Sequence, residues 1–200
     1  MLFVISGPSG CGKSTLVQRV LKDLKDVQFS VSHTTRKKRD SEEEGREYYF
    51  VSKKEFERMV EEEKLAEWAI VHGSSYGTSK REIDRKGAKG DLILDIDVQG
   101  AQKIKAKFKK AIFIFVVPPL FRELKRRLEK RGEDSPDAIK KRLEGAKKEI
   151  RYYPIFDYIV INDQIDQAVR ELESIILSTR CRLDSRRKDI TPILQSFIEG

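Results

Sequence analysis

The sequence predicts a doubly wound α/β fold with a five-stranded parallel sheet, a phosphate-binding loop, a small α+β insert and a helical lid. Short apolar runs rich in β-branched residues alternate with stretches of helical periodicity. Such continuous apolar runs are typical of parallel strands that helices cover on both faces. Because strands and helices alternate, right-handed crossover connections within one sheet are expected.

Each predicted element rests on its local pattern. The strands are expected at residues 2–5, 29–31, 92–96, 112–117 and 158–161, and the helices at 12–24, 98–107, 120–130, 136–152 and 164–183. In the last helix, apolar residues recur at the spacing of one amphipathic face, namely Ile165, Val169, Leu172, Ile176 and Leu183.

Two segments interrupt this alternation and divide the chain. Residues 32–80 hold a basic turn, a short aromatic strand and a helix, and they are predicted to form the α+β insert. Residues 126–148 are helical and dense in Arg and Lys, with a break at Gly132 and Pro136, and they are predicted to form the lid. The nucleotide-binding core is then expected at residues 1–31, 81–125 and 149–184, and a C-terminal tail at 185–200.

Composition and charge narrow the class of protein. The 200 residues suit one domain with insertions, 37% of them are charged, and the formal net charge is +8. Because the basic residues are mixed with Glu along the helices, they indicate solvated faces, and neither nucleic acid nor membrane is expected as a partner. Cys11 and Cys181 are too few for a disulfide framework or a metal cluster. Without a signal peptide or a membrane-length apolar run, a cytoplasmic protein is expected.

Residues 7–14 match the phosphate-binding loop pattern, in which two glycines five apart precede Lys and a hydroxyl residue. The glycines allow the backbone to point N–H groups at an anion, and the following helix adds its positive dipole end. Lys13 can reach the outer phosphates, and the Ser14 hydroxyl can bind Mg²⁺. The residues expected to contact a nucleoside triphosphate are Gly7, Pro8, Ser9, Gly10, Cys11, Gly12, Lys13, Ser14 and Thr15.

Such a loop alone does not separate kinases from GTPases, motors or helicases. The chain is short for a helicase, and it lacks the Asn-Lys-x-Asp stretch with which GTPases read guanine. A compact kinase with two inserted segments remains. Arg36 and Arg39, three apart beside hydroxyl residues and shortly before Tyr48, indicate a second anion site. An exposed basic turn is the alternative that composition leaves open.

Several further stretches resemble the guanylate kinases. They are Ser-Val-Ser-His-Thr-Thr-Arg-x-x-Arg at 30–39, Gly-x-x-Tyr-x-Phe at 45–50, Glu-Trp-Ala at 67–69, Tyr-Gly-Thr at 76–78, Leu-Asp-Ile-Asp-Val-Gln-Gly at 94–100, Arg-Leu-x-x-Arg-Gly at 127–132, Lys-Arg-Leu at 141–143 and Ile-Asn-Asp at 161–163. They follow the family's order over residues 2–180, and the segment past Cys181 lies outside them. Ser41 stands where the family usually has glycine. The loop also carries Cys11, and a helix N-terminus is expected to lower the pKa of this thiol.

The resemblance implies a Mg²⁺-dependent kinase that transfers the γ-phosphoryl group of ATP to GMP. It implies that the GMP phosphate is held by Ser32, Arg36, Arg39, Tyr48 and Tyr76, and that the guanine edge is read by Glu67, Thr78 and Asp97. It also implies that Arg131 and Arg142 close over the ATP phosphates and act with Lys13 on the transferred group, and that Asn162 lies beside the adenine. Asp95, at the end of a buried strand, is predicted to bind Mg²⁺ together with Ser14.

The implied chemistry agrees with these residue types. Guanine presents N1–H and N2–H donors that a carboxylate accepts, and adenine lacks them. No general base is required, because the attacking phosphate oxygen of GMP is already ionised. The same contacts would admit dGMP. Two alternatives remain, a catalytically silent guanylate kinase-like module that binds phosphorylated peptides and a nucleoside monophosphate kinase of other base specificity. The sequence leaves open whether the protein is a monomer or a homo-oligomer.

Overall fold

The computed structural model describes residues 1–71, 73–131 and 135–199. Its strands are β1 (Leu2–Ser6), β2 (Val27–Phe29), β3 (Ser32–Thr34), β4 (Tyr48–Phe50), β5 (Leu65–Val71), β6 (Ser74–Ser79), β7 (Asp91–Asp95), β8 (Ile112–Val117) and β9 (Tyr158–Ile161). Its helices are α1 (Lys13–Asp23), α2 (Lys53–Glu61), α3 (Lys80–Gly87), α4 (Val98–Lys107), α5 (Phe121–Arg131), α6 (Pro136–Glu149), α7 (Ile165–Arg180) and α8 (Leu183–Glu199). A 3₁₀ helix at Ile150–Ile155 connects α6 to β9.

Five parallel strands form the central sheet in the order β2-β7-β1-β8-β9, which confirms the predicted doubly wound core. Strand β1 lies in the middle, where Val4 is paired with Leu94 on one side and with Phe113 on the other. Ligands of open α/β sheets bind beyond the carboxyl ends of the strands, at the point where the strand order changes direction. The predicted phosphate-binding loop follows β1 at this point.

Helices cover both faces of the central sheet, because each of them presents an apolar stripe to it. On one face, Leu16 of α1 and Leu172 of α7 belong to a single buried cluster with the side chains of β1 and β8. On the other face, Ile83 of α3 and Ile104 of α4 pack against β1 and β7. Burying each such side chain stabilises the fold by about 1.5–3 kcal/mol. The strand ends that carry the site are thus anchored in a well-packed core.

A second sheet of four strands lies within residues 32–80, in the order β4-β3-β6-β5. Strands β3 and β4 are parallel, and the other two pairs are antiparallel. Helix α2 contributes the buried side chain of Phe56. Lys107 of α4 donates to the carbonyl oxygen of Ala66 in β5 at 2.6 Å, which attaches the second sheet to a helix of the core.

Two early boundaries differ from the sequence-based expectation for local reasons. Strand β2 covers Val27–Phe29 rather than residues 29–31. It ends at Phe29 because the chain leaves the sheet after the N–H of Ser30 has donated to the Ile93 carbonyl. Helix α3 has no counterpart in the prediction. Its start is marked by Ser79, whose side chain accepts the Glu82 N–H at 3.2 Å, and this Ser-x-x-Glu pattern is a helix-start signal.

The C-terminal third also differs from expectation. Helix α6 ends at Glu149, three residues before the predicted end, where the 3₁₀ helix that contains Pro154 begins. The helix expected at 164–183 is α7, which ends at Arg180, and a separate helix α8 begins at Leu183. Residues 185–199 of the predicted tail belong to α8, and Gly200 lies outside the described residues. Within the described ranges, none of the helices is long and apolar enough to cross a membrane.

Candidate active site

The predicted phosphate-binding loop connects β1 to α1 along a path that only glycine permits at two positions. Gly7 has a φ of 146°, and a Cβ at this position would lie 2.0 Å from the Val116 carbonyl oxygen in β8. Gly12 has a φ of 97°, and its Cβ would lie 2.3 Å from Asn162 Nδ2. Any larger residue would force the loop away from these neighbours. These close contacts explain why glycine is required at both positions of the motif.

Two side chains from distant elements hold the loop in place. Asn162, which follows β9, is buried, and its Nδ2 donates to the Cys11 carbonyl at 2.8 Å. Arg127 of α5 donates from Nη1 to the same carbonyl at 3.3 Å and from Nη2 to the Asn162 carbonyl at 2.9 Å. The contact of Asn162 with adenine stays a prediction, and its contact in the structure is with the loop.

The thiol of Cys11 is fully buried beneath the loop, so the expectation of a lowered thiol pKa is wrong. Burial raises the pKa of Cys11, because a thiolate is poorly solvated there, and the charge of Lys13 offsets only part of this effect. Position at a helix N-terminus therefore does not make this cysteine a reactive thiolate.

The Lys13 side chain lies folded over the loop. Its Nζ donates to the Gly7 carbonyl at 2.7 Å and lies 4.0 Å from Cys11 Sγ. Burial would lower the pKa of Lys13, but nearby negative groups, Asp95 and Glu149 among them, raise it above its usual value. Lys13 therefore carries a full positive charge at neutral pH.

A carboxylate at the end of α6 also reaches the loop. The Ser9 N–H donates to Glu149 Oε2 at 3.2 Å, across 140 residues of sequence. Arg142 is half-buried and stands seven residues before Glu149, so the two side chains project from one side of α6 about two turns apart. The end of α6 thus places a negative group at the loop. Arg131 ends α5, and its side chain, together with residues 132–134, lies outside the described residues.

Two oxygen ligands predicted for Mg²⁺, one in the first turn of α1 and one at the end of β7, lie side by side. The Ser14 hydroxyl donates to Asp95 Oδ2 at 3.2 Å. Burial raises the pKa of Asp95, and Lys13 and the hydrogen bond from Ser14 oppose this effect. No group of three or more His, Cys, Asp or Glu side chains with metal-binding spacing occurs in the described part of the chain. One hydroxyl and one carboxylate fit Mg²⁺, which takes few protein ligands and completes its shell with phosphate oxygens and water.

In the basic turn before β4, Glu42 organises both arginines that were predicted to bind phosphate. Arg36 Nη2 donates to Glu42 Oε1 at 2.7 Å, and Arg36 Nη1 donates to Oε2 at 3.0 Å. The backbone N–H of Arg39 donates to Glu42 Oε2 at 2.9 Å. These hydrogen bonds give the turn a defined structure, which favours an anion-binding site over an exposed stretch of solvated charges. Sequence reasoning missed Glu42, Arg127 and Glu149.

Two predicted phosphate ligands, Tyr48 and Tyr76, lie beside Arg36. Their ring centroids are 5.8 Å apart, and the Arg36 guanidinium carbon lies 5.4 Å from the Tyr48 ring centroid. Burial would lower the pKa of Arg36, but hydrogen bonds to Glu42 and Tyr76 raise it. Burial raises the pKa of Tyr48, so its hydroxyl remains a donor at neutral pH. The structure thus brings one cation and two hydroxyl donors together.

A second cluster in the insert consists of Ser32, Glu67 and Thr78, all of which are buried. The Thr78 hydroxyl donates to Glu67 Oε1 at 2.7 Å and lies 3.3 Å from Ser32 Oγ. Ser32, which was predicted to contact the phosphate, therefore stands next to two predicted base-reading residues. The Thr78 hydroxyl, itself hydrogen-bonded to Ser32, orients the Glu67 carboxyl group.

Asp97 joins this cluster from the start of α4. Its Oδ1 accepts the Gly100 N–H at 2.9 Å and thereby caps the helix. Gly100 packs so closely on Glu67 that a Cβ would lie 2.5 Å from Glu67 Oε2. Burial raises the pKa of Glu67 to about 7, against the hydrogen bond from Thr78 and with a smaller contribution from the Asp97 charge. The buried Glu67 and the half-buried Asp97 therefore lie close together beside Gly100.

Comparison with known proteins agrees with this arrangement. Residues 1–179 match the family model described as guanylate kinase. The chain is 46% identical over 183 residues to a guanylate kinase of Geobacter sulfurreducens, covering 91% of this chain and 90% of that protein. It is 44% identical over 200 residues to a guanylate kinase of Thermotoga maritima, covering 100% of this chain and 96% of that protein, so this match includes α8.

Among solved structures, a guanylate kinase from Anaplasma phagocytophilum superposes with a TM-score of 0.77 at 31% sequence identity. The match covers 91% of this chain and 87% of that protein. A family model over nearly the whole length, relatives of high identity and coverage, and a shared fold lead to one conclusion. The chain belongs to the guanylate kinase family.

Proposed function

We propose that the protein transfers the γ-phosphoryl group of ATP to GMP and forms ADP and GDP. The observation that carries this proposal is the position of residues 95–97 at the end of β7. This segment contributes one side chain to the predicted ATP site and another to the predicted guanine site. Asp95 accepts a hydrogen bond from Ser14, which directly follows the loop residues Gly12 and Lys13. Asp97, two residues later, lies beside Glu67. This arrangement supports a triphosphate site and a base-reading site that would lie next to each other.

The donor half-site is formed by residues 7–15. Backbone N–H groups of the loop and the N-terminus of α1 would hold the ATP phosphates. Lys13 would contact the outer phosphates, with Arg142 and Arg131 closing over them. Ser14 and Asp95 would hold Mg²⁺, which supplies neutralisation of phosphate charge when bound.

The acceptor half-site would hold GMP at two ends. Arg36, Arg39, Tyr48 and Tyr76 would bind the phosphate through charge-assisted hydrogen bonds, and Ser32 would add a hydroxyl. Glu67 would accept the N1–H and N2–H of guanine, with Asp97 and Thr78 completing the base contacts. No side chain in this set selects against a missing 2′-hydroxyl, so dGMP is proposed as a substrate as well.

Phosphoryl transfer then needs positioning and charge stabilisation rather than a base. The attacking oxygen of GMP is ionised, so no side chain has to remove a proton. Arg36 and Arg39 reduce the repulsion between the two anionic substrates, while Lys13 and Arg142 stabilise charge on the group in transfer. A complete donor half-site is what a phosphopeptide-binding module would not need, and this favours the enzyme over that alternative.

The test of the proposed function is a substrate panel. ADP release from ATP is measured with GMP, dGMP, AMP, dTMP, UMP and CMP in parallel. Rapid turnover is expected with GMP and dGMP only, because only guanine offers Glu67 two donors beside O6. Faster turnover with another base would move the assignment to a different monophosphate kinase, and no turnover with any of them would favour the silent binding module.

The Glu149 carboxylate at the loop leads to a prediction for ATP binding. Replacing Glu149 by Gln is expected to tighten ATP binding by about two- to fivefold, because a negative group then no longer competes for Ser9 or repels the triphosphate. Calorimetric titration with ATP measures the effect. Glu144→Gln is the matched control, since this exposed residue of α6 pairs with Lys147 at 2.7 Å. Weaker ATP binding in Glu149→Gln would show instead that Glu149 supports the loop.

A further inference from the structure

We propose that Glu42 is a positioning residue that aims the Arg36 guanidinium at the phosphate of the acceptor nucleotide. The inference deepens the proposed function and rests on it, because it takes the anion at Arg36 to be the phosphate of GMP. Glu42 touches no substrate in this role and acts through its two arginine neighbours.

The burial of Glu42 sets it apart from the residue beside it. Its side chain is 10% exposed, whereas that of Glu43 is 67% exposed and pairs with Arg46 at the surface. Burying a carboxylate is costly unless it is fully paired. Glu42 meets this condition with the two hydrogen bonds from Arg36 and the N–H of Arg39. Burial would raise the pKa of Glu42, but the bonds from Arg36 and Arg39 lower it, so the group stays ionised.

The donors of Arg36 show which part of the guanidinium remains for a phosphate. The group has five N–H bonds. Two of them, one on each Nη, point end-on at Glu42, and a third on Nη1 donates to the Lys37 carbonyl at 2.7 Å. The Nε–H and the second N–H of Nη2 lie together on one edge of the planar group. Arg36 also has a hydrogen bond with the Tyr76 hydroxyl, itself a predicted phosphate ligand, so this edge and that hydroxyl together offer a fork for phosphate oxygens.

Aromatic rings fix the plane of the same group. The guanidinium carbon lies 5.4 Å from the ring centroid of Tyr48 and 5.8 Å from that of Phe50. Cation–π contacts on the face and Glu42 on the end leave Arg36 little freedom to turn. Because the side chain is already ordered, binding a phosphate costs less entropy than ordering a free arginine would.

Two effects of Glu42 on a phosphate oppose each other. Its negative charge repels the anion, and its hydrogen bonds orient the cation that binds the anion. The repulsion acts across the guanidinium, which lies between the two negative groups and neutralises one of them. Loss of the Glu42 carboxylate would also weaken the hydrogen bond that the Arg39 N–H donates to it. Orientation is therefore expected to outweigh repulsion.

The test is calorimetric titration of Glu42→Gln with GMP, guanosine and ATP. GMP affinity is expected to fall by about 10- to 100-fold, as for lost hydrogen bonds to charged groups. Guanosine and ATP affinities are expected to stay within about twofold, because neither ligand uses the Arg36 fork. Glu43→Gln is the matched control and should leave all three affinities unchanged. GMP binding that is unchanged or tighter in Glu42→Gln, or a loss shared equally by guanosine, would overturn the inference.

A double-mutant cycle separates positioning from a general effect on folding. If Glu42 acts through Arg36, Glu42→Gln should weaken GMP binding less in an Arg36→Ala background than in the wild type. Equal losses in both backgrounds would overturn the inference, even where Glu42→Gln also lowers stability. Equal affinity of the wild type for GMP and guanosine would overturn the phosphate assignment in the proposed function and this inference with it. A wild-type preference for GMP that Glu42→Gln retains would overturn the inference alone.

Discussion

Replacing Lys13 by Met is expected to lower kcat by about 100- to 1,000-fold, the effect of removing one preorganised charge from a phosphoryl-transfer site. The Lys13 ammonium has three donors, and one of them is held by the Gly7 carbonyl at 2.7 Å. Apart from a long contact with Cys11 Sγ at 4.0 Å, the remaining donors can turn to the phosphoryl group as charge develops on it. Because the ammonium is fully charged at neutral pH, its loss removes a whole unit of positive charge from the donor half-site.

The measurement is steady-state ADP release with GMP as acceptor, combined with separate titration of ATP. Methionine keeps the length of the apolar stem, so the loop should retain its path. Lys22→Met, at an exposed position in the last turn of the same helix, is the matched control and should keep the wild-type kcat. A kcat within tenfold of the wild type, or a defect confined to ATP affinity, would remove Lys13 from the transfer step.

The donor half-site was predictable because its residues are contiguous. Gly7, Gly12, Lys13 and Ser14 stand within one motif, and each is needed there by backbone geometry or by phosphate chemistry. The strands of the core were predictable for a similar reason, since each is a continuous apolar run. The end of β2 was not predictable in this way, because it depends on one hydrogen bond to Ile93 rather than on composition.

The residues that support the site could not be found from local pattern. Glu42 is the first of three consecutive glutamates, and only the folded turn buries it and leaves Glu43 in solvent. Glu149 reaches Ser9 across 140 residues of sequence. This contact depends on where α6 ends relative to the sheet, and periodicity within one helix carries no information about that.

The division between α7 and α8 was hidden for a different reason. The apolar spacing continues from Ile176 to Leu183, so the helical period passes through the break at Cys181 without change. No glycine or proline marks this position, although both are common signals at helix ends. Helix α3 is the opposite case, because Ser79 and Glu82 supplied a readable start signal in a segment with little apolar periodicity.

Glu67 is expected to set base specificity because it is a buried carboxyl group with few alternatives for pairing. Its side chain is held by Thr78 and pressed against Gly100, so it cannot turn to solvent when the wrong base is bound. A base without N–H donors at this place leaves the carboxylate unpaired, and enzymes that read a base in this way discriminate by large factors. The charge of Asp97 nearby increases the cost of leaving Glu67 ionised and unpaired.

Replacing Glu67 by Gln is therefore expected to lower kcat/KM for GMP by about 100-fold or more and to narrow the preference for GMP over AMP. A glutamine amide can accept one guanine N–H, but its own NH₂ group faces the second donor. The measurement is kcat/KM for both nucleotides in the wild type and the variant. Glu57→Gln, an exposed change of the same kind on α2, should alter neither value. Retained discrimination in Glu67→Gln would assign guanine recognition to other residues.

The pH dependence of the KM for GMP provides a second test of the role of Glu67. The pKa of Glu67 is raised by burial to about 7, and only the ionised form accepts both guanine donors. The KM for GMP should therefore rise by about tenfold as the pH falls from 8 to 6, while Glu67→Gln should keep only the part that comes from titration of the GMP phosphate. Because the folded protein raises this pKa, Glu67 contributes most stability below its ordinary pKa and less as the pH rises through 7. At pH 8 the variant should unfold no more easily than the wild type, so a weaker GMP complex there reports on base recognition rather than on loss of the fold.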